Sequence, residues 1–224
     1  LSRYSGGKLG APAFSRLSTL SSDELRRELG RMEHGGTFKD ISRINNLLEG
    51  DFFRWYLNAW NDPIDKSIRE IISRLSYYDP TTLAADPKVP RDLLKKLYHK
   101  LMPRDIRHNL GEYYTPDWLA QRLLNQVDIT FFTEEPAKSS YLREKLLKLR
   151  FLDPACGSGT FLALIINRIK EAGKQLQLPE NVILDAILNN VMGIDLNPLA
   201  VIAARTTYVL ALGDLLDNPQ RQDI

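Results

Sequence analysis

Helical periodicity of apolar residues dominates the chain before residue 150. Ser21, followed three residues later by Glu24, is typical of a capped helix start, and the glycine pair after His34 ends that helix. Further helical patterns cover 38–49, 52–60, 64–76 and 93–101. The 64–76 pattern has apolar residues at helical spacing: Ile68, Ile71, Ile72 and Leu75. These patterns predict an all-helical domain over 21–110, after a loop or flexible segment over 1–20.

The pattern changes after residue 110, where helices alternate with two short apolar runs. The runs predict parallel strands at about 150–154 and 191–195, separated by helices over 160–170 and 179–190. Helices are also predicted from Pro116 onwards, over 141–149 and over 198–216. This alternation is typical of α/β folds and predicts an incomplete Rossmann-like core over 111–224. Because only two strands are visible, we expect the chain to be the N-terminal part of a longer protein.

Composition narrows the class of protein without fixing its function. Of the 224 residues, 43% are hydrophobic and 26% are charged, as in ordinary globular proteins. No apolar run is long enough to span a bilayer and no signal-peptide pattern opens the chain, so we expect a cytoplasmic protein with no membrane partner. The single cysteine, Cys156, excludes an internal disulfide, and the three scattered histidines predict no metal site. The net charge of +2 is compatible with a nucleic-acid partner but does not indicate one.

The segment around residues 151–162 carries the most informative chemistry. An apolar run ends on Asp153, and Gly157-Ser158-Gly159 leads into a helix that starts at Thr160. The turn between a parallel strand and the following helix is where doubly wound α/β folds bind nucleotides. The two glycines permit positive φ and the close approach of a ligand. We therefore predict a nucleotide-like ligand at this turn.

Asp153 determines which ligand of this kind fits. A pyrophosphate would occupy the helix N-terminus, where anions are favoured. Two like charges about 4 Å apart repel by roughly 1 kcal/mol in water and roughly 4 kcal/mol at an effective dielectric constant near 20. A ligand with a cationic end and no phosphate is attracted instead. S-adenosylmethionine has both properties, and we predict it as the cofactor.

A second strand end, within 191–198, carries another acid. The carboxylate of Asp195 is predicted to accept hydrogen bonds from ribose hydroxyls, and bonds to a charged group contribute about 1.5–3 kcal/mol each. Asn197 is predicted to cap the next helix, which Pro198 begins. In dinucleotide-binding motifs this acid lies roughly 20 residues beyond the glycines. Here the additional helix over 179–190 increases the separation, so the role of Asp195 is inferred from its position at the strand end.

These two segments resemble the first two motifs of class I S-adenosylmethionine-dependent methyltransferases. Gly111-Glu112-Tyr113-Tyr114-Thr115-Pro116 resembles the motif that precedes the glycine loop in adenine-N6 DNA methyltransferases. The loop sequence is similar to that of type I methylation subunits and fused restriction-methylation enzymes. In that family the Tyr-Thr-Pro stretch folds over the methionine end of the cofactor, which implies this role for Tyr113, Tyr114 and Thr115. The full set of expected cofactor-binding residues is Tyr113, Tyr114, Thr115, Pro116, Asp153, Pro154, Ala155, Cys156, Gly157, Ser158, Gly159, Thr160, Asp195 and Leu196.

The resemblance implies a site-specific DNA methyltransferase of a restriction-modification or phage-defence system. Such an enzyme transfers the methyl group to N6 of an adenine that has left the base stack. DNA is therefore the implied partner, together with a specificity subunit, a restriction subunit or a fused domain. The family's catalytic Asn/Asp-Pro-Pro-Tyr/Phe motif does not occur in this sequence. We therefore assign no catalytic residue and expect that this chain alone does not methylate DNA.

Two other functional interpretations stay open at this point. The first is a class I methyltransferase acting on RNA, protein or a small molecule, against which only the Tyr-Tyr-Thr-Pro segment argues. The second is a non-catalytic helical scaffold with a vestigial cofactor fold. Binding of S-adenosylmethionine would distinguish this scaffold from an enzyme.

Several residues also have simpler structural explanations. Thr115 and Pro116 fit a helix start, with threonine as the cap and proline in the first turn. Cys156 is expected to pack as a small residue rather than to act as a nucleophile, and Asp214 fits the end of the last helix better than an adenine contact. The basic residues over 91–107 fit either a solvated helix face or a DNA phosphate track. Three aromatic residues at helical spacing are expected in the helix core: Trp55, Tyr56 and Trp60.

Overall fold

The structure, a computed structural model, describes residues 16–35, 54–77, 115–127, 144 and 146–216. By its internal contacts the chain divides into two compact units, Leu1–Pro90 with Gln222–Ile224 and Arg91–Arg221. The predicted helices over 38–49 and 93–101 lie outside the described residues. So do Tyr113, Tyr114 and the basic residues over 91–107.

The described part of the first unit opens with helical residues at 16–19, where Leu17 is buried. The predicted loop over 1–20 is therefore wrong for these residues, because Leu17 supplies an apolar contact that the composition of the segment does not suggest. Helix α1 (Ser22–Glu33) begins with the predicted capping box. Ser21 Oγ accepts a hydrogen bond from the Glu24 N–H (3.4 Å), and the Glu24 carboxylate accepts one from the Ser21 N–H (2.9 Å).

Helix α2 (Trp55–Asn58) and helix α3 (Asp62–Ser76) complete the described part of this unit. Helix α3 begins two residues earlier than predicted because Asn61 caps it, accepting a hydrogen bond from the Ile64 N–H at 3.0 Å. Its apolar face is only partly buried: Ile68 and Ile72 pack into a core with Leu17 and Leu25, whereas Ile71 and Leu75 are exposed. Among the described residues, this core thus covers only the side of α3 that carries Ile68 and Ile72.

The three aromatic residues divide between core and surface. Trp60 packs against the same core and donates from Nε1 to Ser22 Oγ at 3.0 Å. Tyr56 donates its hydroxyl proton to Glu33 Oε1 at 2.8 Å, and burial raises its pKa above the usual range. Trp55 is 65% exposed, so its predicted place in the core is wrong. Its ring makes a T-shaped contact with that of Tyr56, the next residue in the sequence.

The second unit begins its described part at Thr115, before helix α4 (Asp117–Val127). The Pro116 carbonyl accepts hydrogen bonds from the Leu119 and Ala120 N–H groups, both at 3.0 Å. Pro116 therefore stands immediately before the helix, and the prediction that Thr115 caps it with Pro116 in the first turn is wrong by one residue. Asp117 instead occupies the first turn, where its negative charge is favourable. Of the predicted helix over 141–149, residues 144 and 146–148 are helical.

The sheet consists, in the described residues, of two parallel strands, β1 (Phe151–Asp153) and β2 (Val191–Gly193). Phe151 pairs with Val191, and Asp153 pairs with Gly193. Helices α5 (Thr160–Gln175) and α6 (Glu180–Asn190) lie between the strands in sequence. The predicted α/β alternation and the parallel pairing are confirmed, although each strand is shorter than predicted.

Helix α7 (Pro198–Leu212) follows β2 and continues into a 3₁₀ turn over Gly213–Leu216. The single helix predicted over 198–216 is therefore interrupted at Leu212, because Gly213 adopts a φ of 54°. Asp214 lies in this turn, directly after the helix. The element that directly precedes it is α7 and not a strand, in agreement with its expected place at a helix end.

Helix α5 is the centre of this unit. It packs against both strands and against α4, α6 and α7. Lys170, on α5, caps the C-terminal end of α7: its Nζ donates hydrogen bonds to the carbonyls of Ala211 and Leu212, both at 3.0 Å. Within the described ranges, no helix combines the length and apolarity needed to cross a membrane. The buried residues of α5 are Thr160, Leu162, Ala163, Leu164, Ile165, Ile166, Ile169 and Gly173.

Tyr208 links α7 to the end of α6 and to β2, and its removal tests this packing. Its hydroxyl donates to the carbonyls of Ile187 (3.0 Å) and Val191 (3.3 Å). We expect Tyr208→Phe to lower the free energy of unfolding by about 0.5–1.5 kcal/mol, the net contribution of an ordinary hydrogen bond. Urea unfolding measures this loss. Tyr77→Phe is the control, because Tyr77 is 85% exposed, and an equal loss in both variants would contradict the assignment.

Candidate functional site

The loop between β1 and α5 is bonded to the end of β2. The Ile194 N–H donates to the Asp153 carbonyl, and the Cys156 N–H donates to the Ile194 carbonyl, both at 2.9 Å. These bonds continue the parallel pairing beyond the last strand residues. The segment carrying Asp153 and the segment carrying Asp195 therefore meet at one edge of the sheet, as the sequence predicts for the carboxyl ends of parallel strands.

Two glycines give this loop its shape, for different reasons. Gly157 has a φ of 52°, and a Cβ there would meet none of the described residues within 4 Å, so among them this part of the loop faces open space. Gly159 has a φ of 85° and precedes α5, and a Cβ there would lie 3.1 Å from the Ala204 Cα. The predicted positive φ is confirmed at both positions. At Gly159, however, the group that approaches closely is helix α7, whereas the sequence predicted a ligand.

Cys156 is packed inside the loop, in agreement with the expected structural role. Only 7% of it is exposed, and burial raises the pKa of its thiol to about 11, with the charges of Asp153 and Asp195 adding to the effect. A thiol of this kind stays protonated near neutral pH, which is unsuitable for a nucleophile. Gly193 makes room for it, because a Cβ there would lie 2.9 Å from the Cys156 Cβ and 2.7 Å from the Leu162 Cδ1. The sequence does not predict this role of Gly193, because a glycine after two apolar residues indicates only the end of a strand.

Asp195 bonds to backbone groups of two loops. Its Oδ2 accepts a hydrogen bond from the Gly157 N–H at 2.8 Å, and its Oδ1 accepts one from the Asn197 N–H at 2.9 Å. Asn197 in turn caps α7, accepting from the Leu199 N–H at 3.0 Å, as predicted. The carboxylate thus has a structural role that its prediction as a ribose ligand did not include. A carboxylate has about four acceptor positions, so two remain for a ligand.

Asp153 lies half-buried beside it. Its Oδ1 accepts from the Ala155 N–H at 3.2 Å, whereas the buried Oδ2 has no hydrogen-bond partner in the structure as described. Burial raises the pKa of Asp153; the Ala155 N–H opposes this rise, and the Asp195 charge adds to it. A buried, unpartnered carboxylate oxygen costs free energy in the absence of a donor or a cation. A cationic or hydrogen-donating group beside this oxygen would remove that cost.

The other predicted site residues that are described fall into two groups. Thr160 is buried in the first turn of α5, and Ser158 is half-buried in the loop before it. Pro154, Ala155 and Leu196 are exposed, and the exposed fraction of Leu196 is 96%. Thr115 and Pro116 are both half-buried, at the segment that leads into α4.

Comparisons with known proteins agree with this architecture. Residues 131–217 match the family model of the MmeI DNA-methyltransferase domain. This range begins before β1 and ends after the 3₁₀ turn, so it contains the glycine loop and both acids. No solved structure matches the chain.

A related protein is found in Methanocaldococcus jannaschii, where it is named as a type II restriction enzyme and methyltransferase. The two are 28% identical over 259 residues, which include 92% of this chain and 21% of the relative. The chain thus spans about a fifth of the length of that relative. The similarity extends through the helical unit as well as the α/β unit.

Residues 131–217, which include the parallel strands and the glycine loop, are thus similar to a DNA-methyltransferase domain. The resemblance to restriction-modification methyltransferases that was predicted from the motifs is confirmed by this family match and by the related restriction enzyme and methyltransferase.

The two loop glycines provide a test of this geometry by their different surroundings. We expect Gly157→Ala to destabilise the protein by about 1–2 kcal/mol, the cost of a left-handed conformation for a residue with a side chain. Gly159→Ala should cost more, because its new methyl group also collides with the backbone of Ala204. Thermal unfolding of the two variants measures the difference. A larger loss for Gly157→Ala would show that the loop has another conformation.

Proposed function

We propose that the glycine loop binds S-adenosylmethionine within a Rossmann-like core and that the protein methylates N6 of adenine in DNA. The observation that carries this proposal is the buried Asp153 Oδ2, which lacks a hydrogen-bond partner among the described residues, next to an open loop. An ammonium or sulfonium group supplies the positive charge that this oxygen needs. A phosphate there would face two carboxylates, so a dinucleotide is disfavoured.

Asp195 and Leu196 would bind the nucleoside part of this cofactor. Asp195 is held in place by its bonds to the Gly157 and Asn197 N–H groups, and its remaining lone pairs are suited to ribose hydroxyls. Leu196 offers exposed apolar surface beside it, against which an adenine ring can pack. The glycine loop, with Pro154, Ala155, Cys156, Ser158 and Thr160, would form the floor of the site.

The segment before α4 would cover the methionine end of the cofactor. This role comes from the motif resemblance of Tyr113, Tyr114, Thr115 and Pro116. The structure adds that Thr115 and Pro116 lead directly into α4, a helix that packs against α5. The helix that follows this segment and the helix that follows the glycine loop are thus in contact with each other.

The bound cofactor supplies an electrophilic methyl group to a nitrogen nucleophile. The restriction-modification relationship supports DNA as the substrate, and an adenine amino group can reach such a pocket only after leaving the base stack. This sequence does not contain the Asn/Asp-Pro-Pro-Tyr/Phe motif that binds the adenine in that family. We therefore propose that this chain supplies cofactor binding, and that further sequence or a partner subunit supplies the catalytic motif.

Isothermal titration of the intact protein with S-adenosylmethionine tests the proposed site. We expect Asp153→Asn and Asp195→Ala each to weaken binding by about tenfold or more, since a hydrogen bond to a charged group contributes about 1.5–3 kcal/mol. Asp185→Asn is the matched control, because Asp185 is an exposed acid on α6. Absence of binding by the unmodified protein, or equal affinities for all variants, would refute the proposal.

Asp153→Asn should also separate binding from stability. Its raised pKa means that the folded state holds the proton more tightly than the unfolded chain, so the ionised carboxylate destabilises the fold above that pKa. We therefore expect the melting temperature of the ligand-free variant at neutral pH to be unchanged or higher. A clear decrease would mean that Asp153 stabilises the loop rather than serving a ligand.

The affinity should depend on pH in the acidic range. Protonation of Asp153 removes the negative charge that attracts the cofactor, so the dissociation constant should rise as the pH falls towards the raised pKa of this residue. In Asp153→Asn the dependence should be much weaker. Titrations at several pH values measure it, and a dependence that persists unchanged in the variant would assign it to another group.

A further inference from the structure

Arg168 makes a polar connection between the helix that follows the glycine loop and the helix that follows Thr115-Pro116. Its Nη2 donates to the carbonyl of Gln121 at 3.3 Å and also to the side-chain oxygen of Asn125. The two acceptors are one helical turn apart, on one side of α4. Arg168 itself lies on α5 and is partly buried. A charged donor that is partly removed from water makes a stronger bond than a fully solvated one.

The positions of these helices make the connection relevant to the site. The chain runs from Gly159 directly into α5, and from Pro116 directly into α4. A helix is stiff over the one to two turns that separate Asp117 from Gln121 and Asn125, and over the two turns that separate Thr160 from Arg168. Fixing α4 on α5 therefore also fixes Thr115 and Pro116 relative to the glycine loop.

We propose that Arg168 is a positioning residue that holds the Thr115-Pro116 end of α4 in register with the cofactor loop. This inference rests on the proposed cofactor site and assigns to Arg168 no contact with the cofactor. It predicts a selective defect. The methionine end of the cofactor, which the segment before α4 would cover, should lose contacts, whereas the nucleoside end at Asp195 should not.

Two ligands separate these ends. S-adenosylhomocysteine carries both the adenosine and the amino-acid portion, whereas 5′-methylthioadenosine lacks the amino-acid portion. For Arg168→Met in the intact protein, we expect calorimetry to show roughly tenfold weaker binding of S-adenosylhomocysteine, as for loss of one charge-assisted hydrogen bond. The affinity for 5′-methylthioadenosine should change less than about twofold.

Three further variants control this experiment. Arg122→Met removes the same charge from an exposed position on α4 and should leave both affinities unchanged. Asn125→Ala removes one acceptor and should reproduce the selective defect without altering Arg168. Asn125→Asp keeps the acceptor and should retain the affinity for S-adenosylhomocysteine. The alanine variant carries the test if Arg168→Met fails to fold.

The outcomes are distinguishable. If the unmodified protein binds neither ligand, the proposed function fails and the inference fails with it. If it binds both, and Arg168→Met weakens both equally or neither, the cofactor site stands and the positioning role of Arg168 is overturned. A selective loss that Asn125→Asp does not show would support it.

Discussion

The carboxylate of Asp195 connects the two segments on which the candidate site depends. It accepts one hydrogen bond from the glycine loop after β1 and one from the cap of α7 after β2. Parallel pairing brings these strand ends to one edge, but it does not fix the loops that follow them. With Gly157 and Asn197 both bonded to Asp195, the loop conformation and the start of α7 are set together. Near these bonds, Gly193 packs against Cys156 and Leu162 so closely that a side chain at position 193 would not fit.

Asp153 differs from Asp195 in its hydrogen bonding. Asp195 has backbone donors for both oxygens, whereas one oxygen of Asp153 is buried with no partner in the part of the chain that is described. Protein interiors rarely leave such a group unsatisfied, and the exceptions commonly lie at functional sites. Two acids at adjacent strand ends thus have different environments: one stabilises the fold, and the other provides an unneutralised charge beside open space. This difference is the physical basis for proposing a cationic ligand.

Much of this arrangement could be predicted from sequence because local patterns determine it. The capping box at Ser21, the cap at Asn197, the glycines with positive φ and the parallel strands all follow from residue type and spacing. Tertiary contacts determined what could not be predicted. The exposure of Ile71 and Trp55 depends on which neighbours cover them, and the start of α4 depends on a carbonyl rather than a side chain. Likewise, neither the bond from Gly157 to Asp195 nor the contact of Arg168 with α4 has a signal in the linear sequence, since their partners lie about 40 residues apart.

A crystal structure of the intact protein with S-adenosylmethionine tests the central claim most directly. The account predicts density for the cofactor over Gly157, with a positively charged or proton-donating group within hydrogen-bonding distance of the Asp153 Oδ2. The Asp195 bonds to the Gly157 and Asn197 N–H groups should persist. A cofactor bound elsewhere, or a phosphate group held at the start of α5, would contradict it.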